Sequence, residues 1–190
     1  MTPQPLSSLT SLGADLRALR KARGVTLADL AARLGRSVGW LSQVERDISA
    51  PSIPELRQMA KALGVPMSLF FGQTPADPRE AGIVVRKNAR RPIGGGAAGL
   101  VEELLSPDLT DSFEVVHSEF LPGAALDEPA QRPTQELAYL VSGQLKIWVG
   151  DDEFILQAGD TIRLRGQPMR WANPFDETAV AIWVISPPVY

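Results

Sequence analysis

Two spacings of apolar residues divide this chain. Between Ser11 and Phe71 they recur three or four positions apart: Leu12, Leu16 and Leu19, then Leu27, Leu30, Ala31 and Leu34, then Leu41 and Val44. A period near 3.6 predicts helices with one buried stripe. Helix-end chemistry falls at the breaks. Gly24 ends the first helix, Thr26 with Asp29 three places on opens TLADLAARLG, Gly35 stops it, and Ser37 caps SVGWLSQVER. Ser52 with Glu55 forms another capping box before PELRQMAKALG, and Pro66 followed by MSLFF predicts a short fifth helix. From Phe113 onward the runs shorten and alternate or turn β-branched: FEVVHSEFL, LAYLVSG, QLKIWVG, EFILQAG, TIRLR, MRWANP and TAVAIWVIS. Pro122-Gly123, Ser142-Gly143, Gly150-Asp151-Asp152 and Ala158-Gly159-Asp160 supply the turns between them. Many short strands at regular spacing predict an antiparallel sandwich or barrel.

The expected organisation is therefore two domains, an all-α bundle of about five helices followed by an all-β barrel. Residues 1–10 form a flexible N-terminus, 11–72 the helical domain, 73–95 a linker and first strand, and 96–190 the β domain. The linker assignment rests on GQTPADPREAG, rich in Pro, Gly and charge. No run of about 18 apolar residues occurs, so no membrane span is expected. MTPQPLSSLT lacks the features of a signal peptide, and the absence of cysteine rules out disulfides and thiolate metal sites, which together imply the cytoplasm.

Charge changes the picture more than composition does. The formal net charge of −3 conceals nine Lys/Arg against five Asp/Glu in residues 1–72, and ten against seventeen in residues 73–190. A basic first half suits a polyanion, while an acidic second half repels one. Arg86, Lys87, Arg90 and Arg91 near the junction are within the chemistry of phosphate contact, but read first as a solvated charge run.

Two short helices joined by the tight turn Leu34-Gly35-Arg36 meet the requirement of a helix-turn-helix. The stretch TLADLAARLGRSVGWLSQVERDISAPSIPELRQMAKALGV resembles the DNA-binding domain of the XRE, or phage-repressor-like, family over roughly residues 11–72. The resemblance lies in T-x-x-x-L-A, the glycine turn, S-x-x-x-Q-x-E-R and P-S-x-x-x-L-x-x-x-A-x-x-L. It implies that the second helix of the motif enters the major groove. Val38, Gly39, Ser42 and Gln43 then face the bases, Gln43 as a bidentate partner of adenine and Val38 against a thymine methyl. Trp40 packs either on the sugar–phosphate backbone or in the core, and Thr26, Arg36 and Ser37 serve phosphates. One such domain makes too few contacts for useful specificity. A two-fold dimer reading half-sites about 34 Å apart on double-stranded DNA is expected.

The β half resembles the cupin, or jelly-roll, barrel. In the family's first motif, G-x5-H-x-H-x4-E-x6-G, Gly123, Glu136 and Gly143 stand in place, but Pro129 and Gln131 occupy the histidine positions. In the second motif Gly159, Asp160, Pro168 and Asn173 match, and Met169 takes the third histidine's place. Iron, nickel or zinc in such a pocket calls for imidazole or thiolate ligands. The reading therefore expects no catalytic metal, no cofactor and no catalytic residues. His117, the only histidine, reads as structural or surface.

A barrel interior can still hold a small molecule. Strand alternation puts Ala138 and Leu140 on the face of Glu136 and turns Tyr139 away; it groups Trp171 with Met169 and sets Arg170 opposite. The candidate effector residues are Gln131, Arg132, Glu136, Met169 and Trp171. Core positions are nonetheless expected for Trp148, Trp171 and Trp183, and a buried Glu136 calls for an arginine or a ligand beside it. The resemblances together imply a bacterial-type transcription regulator, acting as a homodimer on an operator, whose barrel senses a small-molecule effector. Two alternatives stand beside this. One is a cupin-type metal-dependent oxygenase or epoxidase with a vestigial helix-turn-helix, which lacks its histidines here. The other is a constitutive repressor whose barrel only dimerises.

Overall fold

The computed structural model describes residues 11–65, 67–70, 79–80, 82–94, 97–107, 109 and 111–189. The segment 1–10 expected to be flexible, residues 73–78 of the linker, and Pro66 and Phe71 of the expected fifth helix lie outside these. The chain forms two compact units. One comprises residues up to Arg91 with Ser106–Asp111, and the other Pro92–Leu105 with Ser112–Val189.

Among the described residues the first unit contains four α-helices: α1 (Leu12–Ala22), α2 (Leu27–Arg33), α3 (Val38–Val44) and α4 (Ile53–Leu63). The expected fifth is a single 3₁₀ turn over Met67–Phe70, so the count of about five helices is corrected to four. Four residues close one tight turn, and i→i+3 bonding is the form such short pieces take. Leu16, Leu19, Leu30, Leu41, Val44, Met59 and Leu63 converge as the core, each at most 2% exposed. Caps fix where each helix begins. The Thr26 hydroxyl accepts from Asp29 N (3.1 Å) and the Ser37 hydroxyl from Trp40 N (3.1 Å). The Glu55 carboxylate takes both the N–H and the hydroxyl of Ser52, at 2.6 and 2.7 Å. Gly35 sits at φ 63 between α2 and α3, a left-handed conformation that a side chain would strain.

Two charge pairs hold this unit where the apolar period gave no hint of them. Arg20 on α1 reaches Glu45, just past α3, through Nε (2.6 Å) and a terminal nitrogen (2.9 Å), and its other terminal nitrogen donates to Val25 O (2.9 Å). The hydrogen bond to Glu45 raises the Arg20 pKa above its ordinary value. Arg91 pairs with Asp15 at 2.8 Å, and both side chains are at most 5% exposed. Arg91 is therefore not part of a solvated charge run. Its burial against α1 corrects that expectation.

The second unit has two antiparallel sheets. One runs β1-β2-β3-β10-β5-β8 and the other β4-β9-β6-β7. The strands are β1 (Arg91–Ile93), β2 (Leu100–Leu104), β3 (Glu114–Phe120), β4 (Ala125–Ala130), β5 (Gln135–Ser142), β6 (Gln144–Val149), β7 (Asp152–Gln157), β8 (Thr161–Arg165), β9 (Met169–Ala172) and β10 (Ala179–Ser186). Alternation is strict on β3, β5 and β10, so Val116, Ser118, Phe120, Ala138, Leu140, Ala181, Trp183 and Ile185 face inward. From the other sheet Leu145, Ile147 and Trp171 meet them, with Phe120 and Trp171 in edge-to-face contact at 4.7 Å and 76°. β2 and β4 have no clear hydrophobic period. β4, ALDEPA, is an edge strand, where Pro129 removes no central ladder bond.

Candidate nucleic-acid interface and barrel interior

α3 buries Leu41 and Val44, half-buries Trp40 and Ser42, and turns Val38, Gly39 and Gln43 outward. Val38 is 46% exposed, and Gly39 and Gln43 are exposed. No atom lies within 4 Å of where a Cβ on Gly39 would stand. Ser42 is half-buried, and its carbonyl accepts from Arg46 Nε at 3.0 Å. Sequence reasoning passed over Arg46, which this bond ties to the end of α3 with its guanidinium exposed. Its place in the turn just past α3, three residues after Gln43, was the available signal.

Arg36 precedes α3 and is engaged twice. Its guanidinium pairs with Glu55 and lies 5.1 Å from the centre of the half-buried Trp40 ring. The Ser52 hydroxyl, then the Ser52 N–H and Arg36, hold the Glu55 carboxyl below the usual range. Asp29 is likewise lowered, first by the Thr26 hydroxyl. Among the residues expected to meet phosphate, Thr26 and Ser37 thus have their hydroxyls in helix caps, and Arg36 has a carboxylate partner to exchange. Val38, Gly39 and Gln43 stand together on the open face, with Trp40 and Arg36 at its border.

The barrel distributes its candidates differently. Trp171 is 4% exposed and packs on Phe120 as core, and Trp183, 6% exposed, is also buried. Trp148 departs from the core expectation. It lies half-buried on the other side of β6, with the Arg170 guanidinium 3.9 Å and Lys146 Nζ 5.1 Å from its ring centre. Its register partner is Arg170, which faces away from Trp171 as alternation requires. Tyr139 points outward, 47% exposed. Gln131 is exposed, its amide nitrogen bonded to Gly166 O at 2.8 Å; Arg132 and Met169 are half-buried. Glu136 is 8% exposed and accepts from the Thr134 hydroxyl at 2.6 Å. Its second oxygen has no hydrogen bond or ion pair among the described residues. Gln131, Glu136 and Met169 do not make the imidazole-rich donor set a cupin metal needs, and among the described residues no group of three His, Cys, Asp or Glu side chains could hold a metal ion. His117 lies on the outer side of β3 with Nδ1 buried and unpartnered. Asn173, fully buried, donates to Phe120 O and Glu177 O, both at 2.8 Å, which explains its place in the second motif as a structural one.

Two domain families match this chain: a helix-turn-helix domain over residues 11–69 and a cupin domain over residues 116–185. The HTH-type transcriptional regulator SutR of Escherichia coli (strain K12) is 28% identical over 80% of this chain and 80% of its own length. The HTH-type transcriptional regulator PuuR of the same organism is 23% identical over 85% and 86%. Among solved structures, the hydroxypropylphosphonic acid epoxidase from S. wedmorenis aligns over 94% of this chain and 98% of its own at 15% identity and a TM-score of 0.46. No helix among the described residues is long and apolar enough to cross a membrane.

Proposed function

This chain joins an XRE-type helix-turn-helix domain to a cupin domain, and from that premise we propose that it is a transcription regulator that reads duplex DNA through α3. Regulator relatives spanning both halves of the chain support the reading. The observation that carries it is the open face of Val38, Gly39 and Gln43 on a capped, anchored helix. None of the three is among the buried residues of the core, and the space at Gly39 is open. Gln43 offers the amide pair that adenine recognises, Val38 an apolar contact, and Gly39 room for the backbone to approach. Arg36 and Arg46 border the face and supply positive charge, Arg36 by exchanging Glu55 for a phosphate oxygen.

The protein acts as a homodimer on a two-fold operator in the cytoplasm, with the β unit as dimeriser and effector sensor. Glu136, Gln131, Arg132 and Met169 are the groups through which an effector would be held, while Trp171 contributes a wall as part of the core. No catalytic role is proposed, because the residues at the histidine positions cannot supply a metal's ligands. The test is binding to an operator across a salt series. The account expects log affinity to fall linearly with log salt, by about 0.9 for each phosphate neutralised. A flat response overturns it.

A further inference from the structure

The six-stranded sheet has a second face, turned away from the Phe120–Trp171 core, and it is strongly apolar. Leu137, Tyr139 and Val141 on β5, Val184 on β10 and Val101 on β2 are each between 39% and 47% exposed. Register makes those of β5 and β10 continuous, Leu137 lying beside Val184 and Tyr139 beside Ile182, while Val101 sits apart beside Glu119. Contiguous apolar surface of this kind marks a place that another surface covers.

The charges on this face say what covers it. At one corner Arg163 stands beside Leu137 and Arg165 beside Gln135, both exposed and with no ion pair among the described residues. At the diagonally opposite corner Glu119 stands beside Val180 and Val101, with Glu103 nearby opposite His117. The outward positions of β2 and β3 carry no Lys or Arg, and those of β5 and β8 no Asp or Glu. Each corner is therefore the complement of the other, with an apolar diagonal between them from Val115 through Ile182 to Val141.

We propose that a second copy of this chain packs on this face, about a two-fold axis along that apolar diagonal. Arg163 and Arg165 of each copy then meet Glu119 of the other across a shared apolar centre. A surface that is its own complement is what an isologous contact requires. The charges select the axis. A dyad running across the strands would set β8 against β8 and arginine against arginine, and one parallel to β10 would leave the arginines away from Glu119. The size is adequate: five strands about 4.8 Å apart and about six residues of about 3.3 Å each give roughly 1,000 Å² for two faces before side-chain relief is counted. Specific interfaces begin at about that area. The inference rests on the dimeric reading above and deepens it by naming the surface and the pairing.

Sedimentation equilibrium of the full chain tests it, with circular dichroism to verify that each variant is folded. The wild type is expected to dimerise. Arg163→Glu with Arg165→Glu, Glu119→Arg alone, and Tyr139→Lys alone each weaken the dimer at least tenfold. Combining the two charge reversals restores it to within a few-fold of the wild type. A wild-type chain that stays monomeric overturns the dimeric reading itself. A dimer untouched by all three changes leaves that reading in place and overturns this face. Reversals that weaken association singly and do not compensate when combined overturn the charge pairing.

Discussion

The helical unit turns its candidate residues outward, with Val38, Gly39 and Gln43 in solvent, whereas the β unit turns Glu136 and Trp171 into its own core. That contrast sets what substitutions do. A residue that reads DNA from an open face can change without cost to the fold, because no neighbour depends on it. A residue that lines a barrel is also part of the packing, so binding and stability change together. Trp171 shows this plainly: the same ring that would wall an effector site makes the edge contact with Phe120.

The largest effects should come from what holds each unit rather than from what it binds. Arg20→Ala leaves Glu45 buried without its partner and should cost about 3–5 kcal/mol. Trp171→Ala empties a core site and should cost about 3–5 kcal/mol. Denaturant unfolding followed by circular dichroism checks both; a loss under 1 kcal/mol for either would mean that the contact described is not what holds the unit. Gly13→Ala comes next. A Cβ there would lie 2.4 Å from Val44 O, beside the Asp47 carboxylate that accepts from Gly13 N at 2.9 Å. Separating α1 from α3 to make room should cost about 1–3 kcal/mol in the same measurement.

A sharper test of the contrast is Gly39→Ala. Space is open at that position and its backbone is helical, so replacing this glycine in the first turn of α3 should stabilise the head by about 0.4–1 kcal/mol. If the backbone of α3 approaches DNA there, operator affinity falls at the same time. A rise in melting temperature with unchanged affinity would remove Gly39 from the interface. The smallest effect concerns pH. Asp29 and Glu55 are held below their ordinary pKa by Thr26 and Ser52, so their contribution is present above the unfolded carboxylate range near 4 and is lost as pH falls through the lower folded values. Melting from pH 7 to pH 2.5 should show this acid loss, and Asp29→Ala combined with Glu55→Ala should flatten it.

Much of this was legible in the sequence because helix ends and strand alternation are local. The caps at Thr26, Ser37 and Ser52, the turn at Gly35 and the inward face of Glu136, Ala138 and Leu140 all follow from neighbours a few residues apart. What was hidden depends on distant partners. Arg20 and Glu45 are 25 positions apart, and nothing in either neighbourhood announces the pair. Arg91 was read as solvated because its own surroundings are basic, while its partner Asp15 lies in the first helix. β2 escaped notice because an inward glutamate, Glu102, breaks its apolar period and is accommodated by the Ser118 hydroxyl at 3.1 Å. The core expectation for Trp148 fails because Arg170 and Lys146 cover it on the outer face, which only the β6–β9 register reveals.

Selection of bound duplexes from a random library, run in parallel for the wild type and Gln43→Ala, tests most directly that α3 reads sequence. The account predicts a two-fold symmetric consensus for the wild type. For the variant, with its fold unchanged, it predicts loss of an adenine preference worth about 1–3 kcal/mol at one position of each half-site. The same consensus from both proteins, or no consensus from the wild type, would contradict it.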